Sequence, residues 1–417
     1  MTERAEQARR RIDLAATPGG RRVLFAALYL CEGAPIGFLW WALPTVMRSR
    51  GADSTRIGSL LGILVLPWAL KFLWAPLVDR VQGPRFTLRG WIASAQALMV
   101  LTLVPLLFVD PARHFDMLAV LLVLHALFAS TQDAAIDALL IQTAPESEHG
   151  RLTAWMQVGM LTGRSLLGGG ALLVLDRLGD RGLIGILLGV LTLGILLATV
   201  YRAPSRLAGR ASGDVPFLAA LTRVLRRRTT WIGLAFAATA GAGFEAFGGF
   251  AGPLLTDAAG GDTDVAGRFF LLNAVLASAA GGLLAGALSD RVGPRSTCAF
   301  AGVALAGCLG WALLAIGQVG LVLPFTAVYL AIGAFTTASY TLFLAHTDRA
   351  LAATQFSAFM AATNLCESWS VAATGRWLDD HGPRMVLGIA TLVGLASLAW
   401  LIGLGTTAAP NRKEGES

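Results

Sequence analysis

An all-α integral membrane protein, with twelve transmembrane helices in two pseudo-symmetric six-helix bundles, is the fold class this sequence predicts, and three observations predict it. Of 417 residues, 55% are hydrophobic and 14% charged, whereas an ordinary soluble domain carries roughly 25% charged residues. Apolar runs of about 20 residues, each long enough to cross a hydrocarbon core of roughly 30 Å as a helix, recur from one end to the other. The loops between the runs repeat.

The runs are read at 22–47, 56–78, 86–109, 116–143, 151–175, 182–201, 230–256, 265–288, 298–317, 319–346, 353–377 and 384–405. They do not alternate apolar with polar residues, which excludes a β-barrel. The first 21 residues are too polar for a signal peptide, and no small-residue cleavage site follows, so the first helix is expected to be retained. Lys and Arg concentrate on the side that holds both termini while acidic residues divide almost evenly, which puts both termini in the cytoplasm. Seven arginines lie in 202–229, including Arg226, Arg227 and Arg228. Despite the formal net charge of +7, this stretch reads as a solvated or headgroup-facing linker, and no nucleic-acid partner is expected. The expected organisation is a cytoplasmic segment 1–21, an N-terminal bundle 22–201, the linker 202–229, a C-terminal bundle 230–405 and a cytoplasmic tail 406–417.

Catalytic and metal chemistry find no support. The cysteines (Cys31, Cys298, Cys308, Cys366) lie in or beside apolar runs without metal-ligand spacing, and the five histidines are scattered. HExxH, GxSxG, CxxC and Walker motifs are absent. The expectation is a protein that is not an enzyme, without cofactor or metal, driven by an ion gradient or by its substrate's own gradient.

Two stretches fix the internal repeat. Pro44, Gly51, Asp53 and Gly58 recur at the same spacing as Pro253, Gly260, Asp262 and Gly267. The loop DRVQGPR from Asp79 returns as DRVGPR from Asp290, so the halves are copies in the same orientation. Weaker versions, DRLGDR from Asp176 and DDHGPR from Asp379, follow the fifth and eleventh runs and divide each half into two three-helix units of opposite orientation.

The stretch GALSDRVGPR from Gly286 resembles the signature loop of the major facilitator superfamily; the first copy departs from it at Ala75 and Gln82. KFLWAPLVDR from Lys71, STQDAAIDA from Ser130 and ATQFSAFMAA from Ala353 resemble the AmpG-like muropeptide permease and acetyl-CoA transporter branch, and RhtX/FptX-type siderophore permeases look similar. The resemblance implies that Asp79, Arg80, Asp290 and Arg291 belong to a gating latch at the inner helix ends. It also implies substrates that are anionic or acid-bearing.

Charges within the runs are few, and each costs at least roughly 2.5–3.5 kcal/mol at the bilayer centre unless paired or hydrated. At about 1.5 Å per residue, Glu32 and Arg164 both fall near the midplane, within reach of each other. Lys71 lies about 10 Å from the inner end of the second helix, close to Asp133 and Asp137, which share one face of the fourth helix at i,i+4 spacing. Lys71 is read as the partner of Asp137 or Asp133, with snorkelling to the inner surface as the alternative; all three are gating candidates. In the second half Glu245 and Glu367 face no obvious cation. A carboxyl buried that way can take up and release a proton as its surroundings change, so Glu245, Glu367 and Glu32 are the candidates for the coupling proton.

Arg164 is the first candidate for substrate: a permanent, bidentate cation near the midplane suits a carboxylate or phosphate, and a salt bridge to Glu32 is its alternative. Trp41, Gln157, Asn273, Tyr340 and Asn364 complete the expected chamber. In GRSLLGGG from Gly163, Arg164 stands where drug antiporters of the superfamily carry proline, which counts against a multidrug exporter. The resulting expectation is a monomeric, proton-coupled importer of a small-molecule substrate, a large, acid-bearing solute such as a muropeptide or siderophore, working in the lipid bilayer of a bacterial inner membrane. A proton-antiporting exporter and a transporter-like receptor are the alternatives.

Overall fold

The computed structural model describes residues 14, 17–74, 77–78, 81, 86–108, 114–144, 146–200, 222, 225–318, 320–347 and 352–404, and among them helix is the only regular secondary structure. Twelve helices follow in order: α1 (Pro18–Ser49), α2 (Ser54–Leu73) and α3 (Leu88–Leu107), α4 (Phe115–Thr143), α5 (146–178) and α6 (180–200), α7 (Arg228–Ala258), α8 (264–292), α9 (Pro294–Ala315) and α10 (Val322–Ala345), α11 (Ala352–His381) and α12 (Pro383–Gly403). The expected linker and tail lie largely or wholly outside the described residues, as do Asp79 and Arg80.

Local chemistry explains the ends. Thr17 caps α1, its Oγ1 accepting from the Gly20 amide at 3.0 Å, and Pro18 occupies the first turn, where a missing N–H costs nothing. The repeated Asp-Gly loops have a common backbone. Their glycines, Gly179, Gly293 and Gly382, have φ of 60°, 84° and 76°, a region that side chains resist. After Gly293 and Gly382 a proline opens the next helix. The recurring Gly-Pro is thus a stop-and-start signal between antiparallel helices, and at Gly179 the connection shrinks to one non-helical residue between α5 and α6.

Contacts divide the chain into two compact units. The first contains α1, residues 63–73 of α2, α3 to α6, and 262–271. Its α1 packs on α5 along a glycine seam. A Cβ on Gly33 would collide with the Met160 carbonyl, one on Gly37 with that of Arg164, one on Gly159 with that of Ala26 and one on Gly163 with that of Leu30. In a bilayer, where burying apolar surface gives helices little reason to associate, such close backbone approach supplies the contact area. Gly159→Leu is accordingly expected to destabilise the protein by about 1–3 kcal/mol through overpacking, measured by thermal unfolding in detergent. Gly248→Leu, where the added side chain meets open space, should leave the transition within experimental scatter of wild type.

The second unit contains residues 51–62, α7, 272–292 of α8, and α9 to α12. Its core is aromatic: Phe247 meets Phe325 edge-on at 4.7 Å, and Phe343 stacks on Phe359 at 5.0 Å. Outside both cores large apolar side chains lie bare, among them Phe108 at 79% exposure and Leu283 at 78%. In water that surface would drive aggregation, whereas facing lipid it is matched to its solvent.

Candidate functional site

The first unit gathers five ionisable side chains at one point. Lys71, in the short 3-10 turn that ends α2, donates from Nζ to Asp133 Oδ2 at 2.7 Å. The Tyr29 hydroxyl on α1 donates to Asp137 Oδ1 at 2.8 Å and lies 3.4 Å from Asp133 Oδ1. Glu32, one turn along α1 from Tyr29 and only 2% exposed, lies within electrostatic reach of Asp133 and Asp137. Its Oε2 has no partner among the described residues. The i,i+4 spacing on α4 and the i,i+3 spacing on α1 bring these groups onto facing stripes, and the turn closing α2 delivers the cation.

Among the described residues, three carboxyl groups share one ammonium. With every carboxyl ionised the cluster would hold an excess of two negative charges in a low-dielectric interior, which is prohibitively costly.

Of the two aspartates offered to Lys71, the structure pairs it with Asp133, and Asp137 is taken by Tyr29. Tyr29 carries no signal of its own in an apolar run; its spacing from Glu32 is the feature that identifies it. Glu32 goes to the α4 carboxyls, and the Arg164 guanidinium lies over the Trp41 ring, 5.2 Å from its centroid. Such stacking fixes the orientation of a guanidinium.

Widened π turns shape the surroundings of Arg164. Trp41 lies in one, Phe38–Ala42 of α1; Ser165 opens another, Ser165–Gly170 of α5, immediately after Arg164; Phe270 lies in a third, Phe269–Asn273 of α8. Trp41 is buried, stacked on Phe270 at 4.9 Å with the rings 10° from parallel. The Ser165 hydroxyl donates to the Leu271 carbonyl at 2.5 Å, and Gly168 and Gly169 admit the Trp41 ring and the Leu271 backbone. π turns arise at functional positions because the inserted residue releases a carbonyl and turns side chains off the regular stripe. Helical periodicity gives no sign of them.

The other candidates are dispersed. Gln157 is exposed on α5. In the second unit Glu245 and Glu367 are half-buried and both lie within electrostatic reach of the Cys366 thiol, so α7 and α11 bring them to one neighbourhood. Asn273 donates to Thr326 Oγ1 at 3.4 Å, Tyr340 meets Phe356 edge-on at 6.5 Å, and Asn364 is half-buried on α11. Asp290 and Arg291 occupy the last turn of α8, with Arg291 exposed.

The family model for the Major Facilitator Superfamily matches residues 25–372. The chain belongs to the major facilitator superfamily. Among curated relatives, the Anhydromuropeptide permease of Escherichia coli (strain K12) is 26% identical over 378 residues, covering 87% of this chain and 75% of that protein. A Putative transporter AmpG 3 of Rickettsia typhi is 26% identical over 151 residues, covering 35% of this chain and 36% of that one. Among solved structures, a D-xylose-proton symporter superposes with a TM-score of 0.72 at 13% identity, covering 93% of this chain and 97% of that one. An inward-facing bacterial homologue of the human lysosomal transporter Spinster gives 0.68 at 18% identity, covering 93% and 95%. These likenesses show the fold, and the family match shows a multi-pass membrane transporter that is not an enzyme.

Proposed function

We propose that this superfamily member is a proton-coupled importer of an acid-bearing solute, with an anhydromuropeptide as the first substrate to try, operating by alternating access in a bacterial inner membrane. The observation that carries the reading is the buried cluster of Glu32, Asp133 and Asp137 around Lys71, its one cation among the described residues. Its charge balance depends on bound protons, which is what coupling to a proton gradient requires. The stacked Arg164 supplies the cation for an acidic substrate. The printed name of the Escherichia coli relative supports the substrate class. Glu245 and Glu367 are the second candidate for the coupling proton, and being half-buried they fit that task less well than Glu32.

The test is reconstitution in liposomes loaded with a pH-sensitive dye under an inward proton gradient, adding an anhydromuropeptide, a ferric siderophore or acetyl-CoA one at a time. Acidification that needs the solute is expected with the wild-type protein. It should survive in Glu245→Gln and Glu367→Gln if the proton resides in the first unit, and vanish in one of them if it resides in the second. A solute that binds without moving protons overturns the coupling and favours a uniporter or receptor.

A further inference from the structure

Three further polar side chains of the first unit are fully buried: Gln96 on α3, and His125 and Gln132 on α4. His125 turns Nδ1 toward Thr102 Oγ1 at 3.2 Å and the Met99 carbonyl at 3.3 Å, and the Thr102 hydroxyl already donates to that carbonyl at 2.7 Å. Both neighbours of Nδ1 are therefore acceptors, so Nδ1 carries the proton and Nε2 of the neutral ring is a bare acceptor. That Nε2 has no partner among the described residues, and neither do Oε1 and Nε2 of Gln96, the same two atoms of Gln132, or Oε2 of Glu32. Buried polar groups need partners, and hydrocarbon supplies none.

The helices bring these atoms into one neighbourhood. Gln96 lies one turn along α3 from Met99, whose carbonyl faces His125. A Cβ on Gly194 of α6 would collide with the Gln96 amide, and one turn away the Cys31 thiol, next to Glu32, donates to the Val190 carbonyl at 3.4 Å. Gln132 precedes Asp133 and lies two turns from His125 on the same stripe of α4.

We propose that Gln96, His125 and Gln132 hold a line of buried waters inside the first unit, and that this line is the proton's path to Glu32. Water fits the set because it both donates and accepts: the imidazole nitrogen and the amide oxygens call for donors, the amide nitrogens for acceptors. An apolar occupant would satisfy none of them, and an ion would meet only neutral groups at the two amides and the imidazole. Each water takes one proton as it gives up another, and the last is delivered to the Glu32 carboxylate, while the amides keep their own. His125 lies about 12 Å along α4 from Asp133, toward the end where α4 begins. The charge asymmetry of the loops puts that end at the outer surface, from which an importer draws its protons. The inference rests on the proton-coupled reading and adds to it three residues that reading does not use.

X-ray radiolytic labelling of the reconstituted wild-type protein, read by mass spectrometry, tests the water directly, because radicals made from a buried water mark the side chains around it. Met99 and Met156 have the same chemistry and both are buried, Met156 in the apolar core of the unit. Met99 should be modified well above Met156, and in Gln96→Leu and Gln132→Leu it should fall to the level of Met156. Gln318→Leu makes the same change at an exposed site and should leave the labelling as in wild type. In dye-loaded liposomes, Gln96→Leu and Gln132→Leu should slow solute-driven acidification about tenfold or more, since a break in the line interrupts every transfer behind it. Met99 modified no more than Met156 overturns the inference and leaves the coupling standing. Labelling lost in the variants with acidification at the wild-type rate also overturns it, by making the water structural. Labelling of wild type without any solute-driven acidification overturns the coupling, and the path with it.

Discussion

Lys71→Ala leaves little folded, monodisperse protein, with a loss of roughly 3–5 kcal/mol relative to wild type. Lys71 is the one cation of the cluster among the described residues, and its ammonium is 2.7 Å from Asp133 with side-chain exposures of 24% and 12%. Removing it does not simply delete one ion pair. It strands an aspartate beside two other carboxyls in a medium that solvates none of them, and leaving a buried charge without its partner costs more than the pair contributes. Thermal unfolding followed by size-exclusion chromatography measures the loss. The double variant Lys71→Met/Asp133→Asn separates this cause from lost packing: it removes cation and anion together, keeps the side-chain volumes, and should recover most of the stability. A double variant no more stable than Lys71→Ala would mean that Lys71 acts through its aliphatic stem, and the electrostatic account would fail.

What the sequence made legible followed from patterns that physics imposes locally. Twelve apolar runs became helices because a bilayer leaves the backbone no other way to satisfy its polar groups, and the repeated Asp-Gly loops became turns because Gly179, Gly293 and Gly382 adopt positive φ. Lys71 was legible as an aspartate's partner because a charge in an apolar run must find one. The partners of Glu32 and Arg164 were not. Both fall at similar depth, yet Gly33, Gly37 and Gly163 draw α1 and α5 so close that their backbones touch, and Arg164 lies over Trp41. The π turns that set those directions depend on tertiary contacts such as Ser165 to Leu271, for which hydrophobic periodicity has no counterpart. The bonds from Ser54 to Asp379 were invisible for a related reason: a short polar loop signals a turn wherever it occurs, and nothing in it names a helix start hundreds of residues away.

Glu32→Gln is expected to abolish proton-driven accumulation of substrate, a loss of at least about 100-fold in the steady-state gradient, while binding and solute-for-solute exchange continue. A membrane potential and pH gradient together worth about 2.3 kcal/mol per 100 mV for each proton carried sustain such a gradient only if a proton rides with each cycle. Glutamine keeps the size of Glu32 and its hydrogen-bonding capacity, but it cannot give up or take a proton, so only the titration is removed. The fold should survive, since the substitution lowers the negative charge that Lys71 must offset. Counterflow of labelled substrate in proteoliposomes, run beside uptake under an imposed pH gradient at several external pH values, reads the two activities separately. If exchange persists and pH-driven uptake is lost, the coupling proton resides with Glu32 and its neighbours on α4. Were Glu32→Gln to accumulate substrate as wild type does while Glu245→Gln or Glu367→Gln did not, the cluster around Lys71 would be a structural hinge between α1, α2 and α4, and the coupling site would lie on α7 and α11, where the two glutamates flank Cys366.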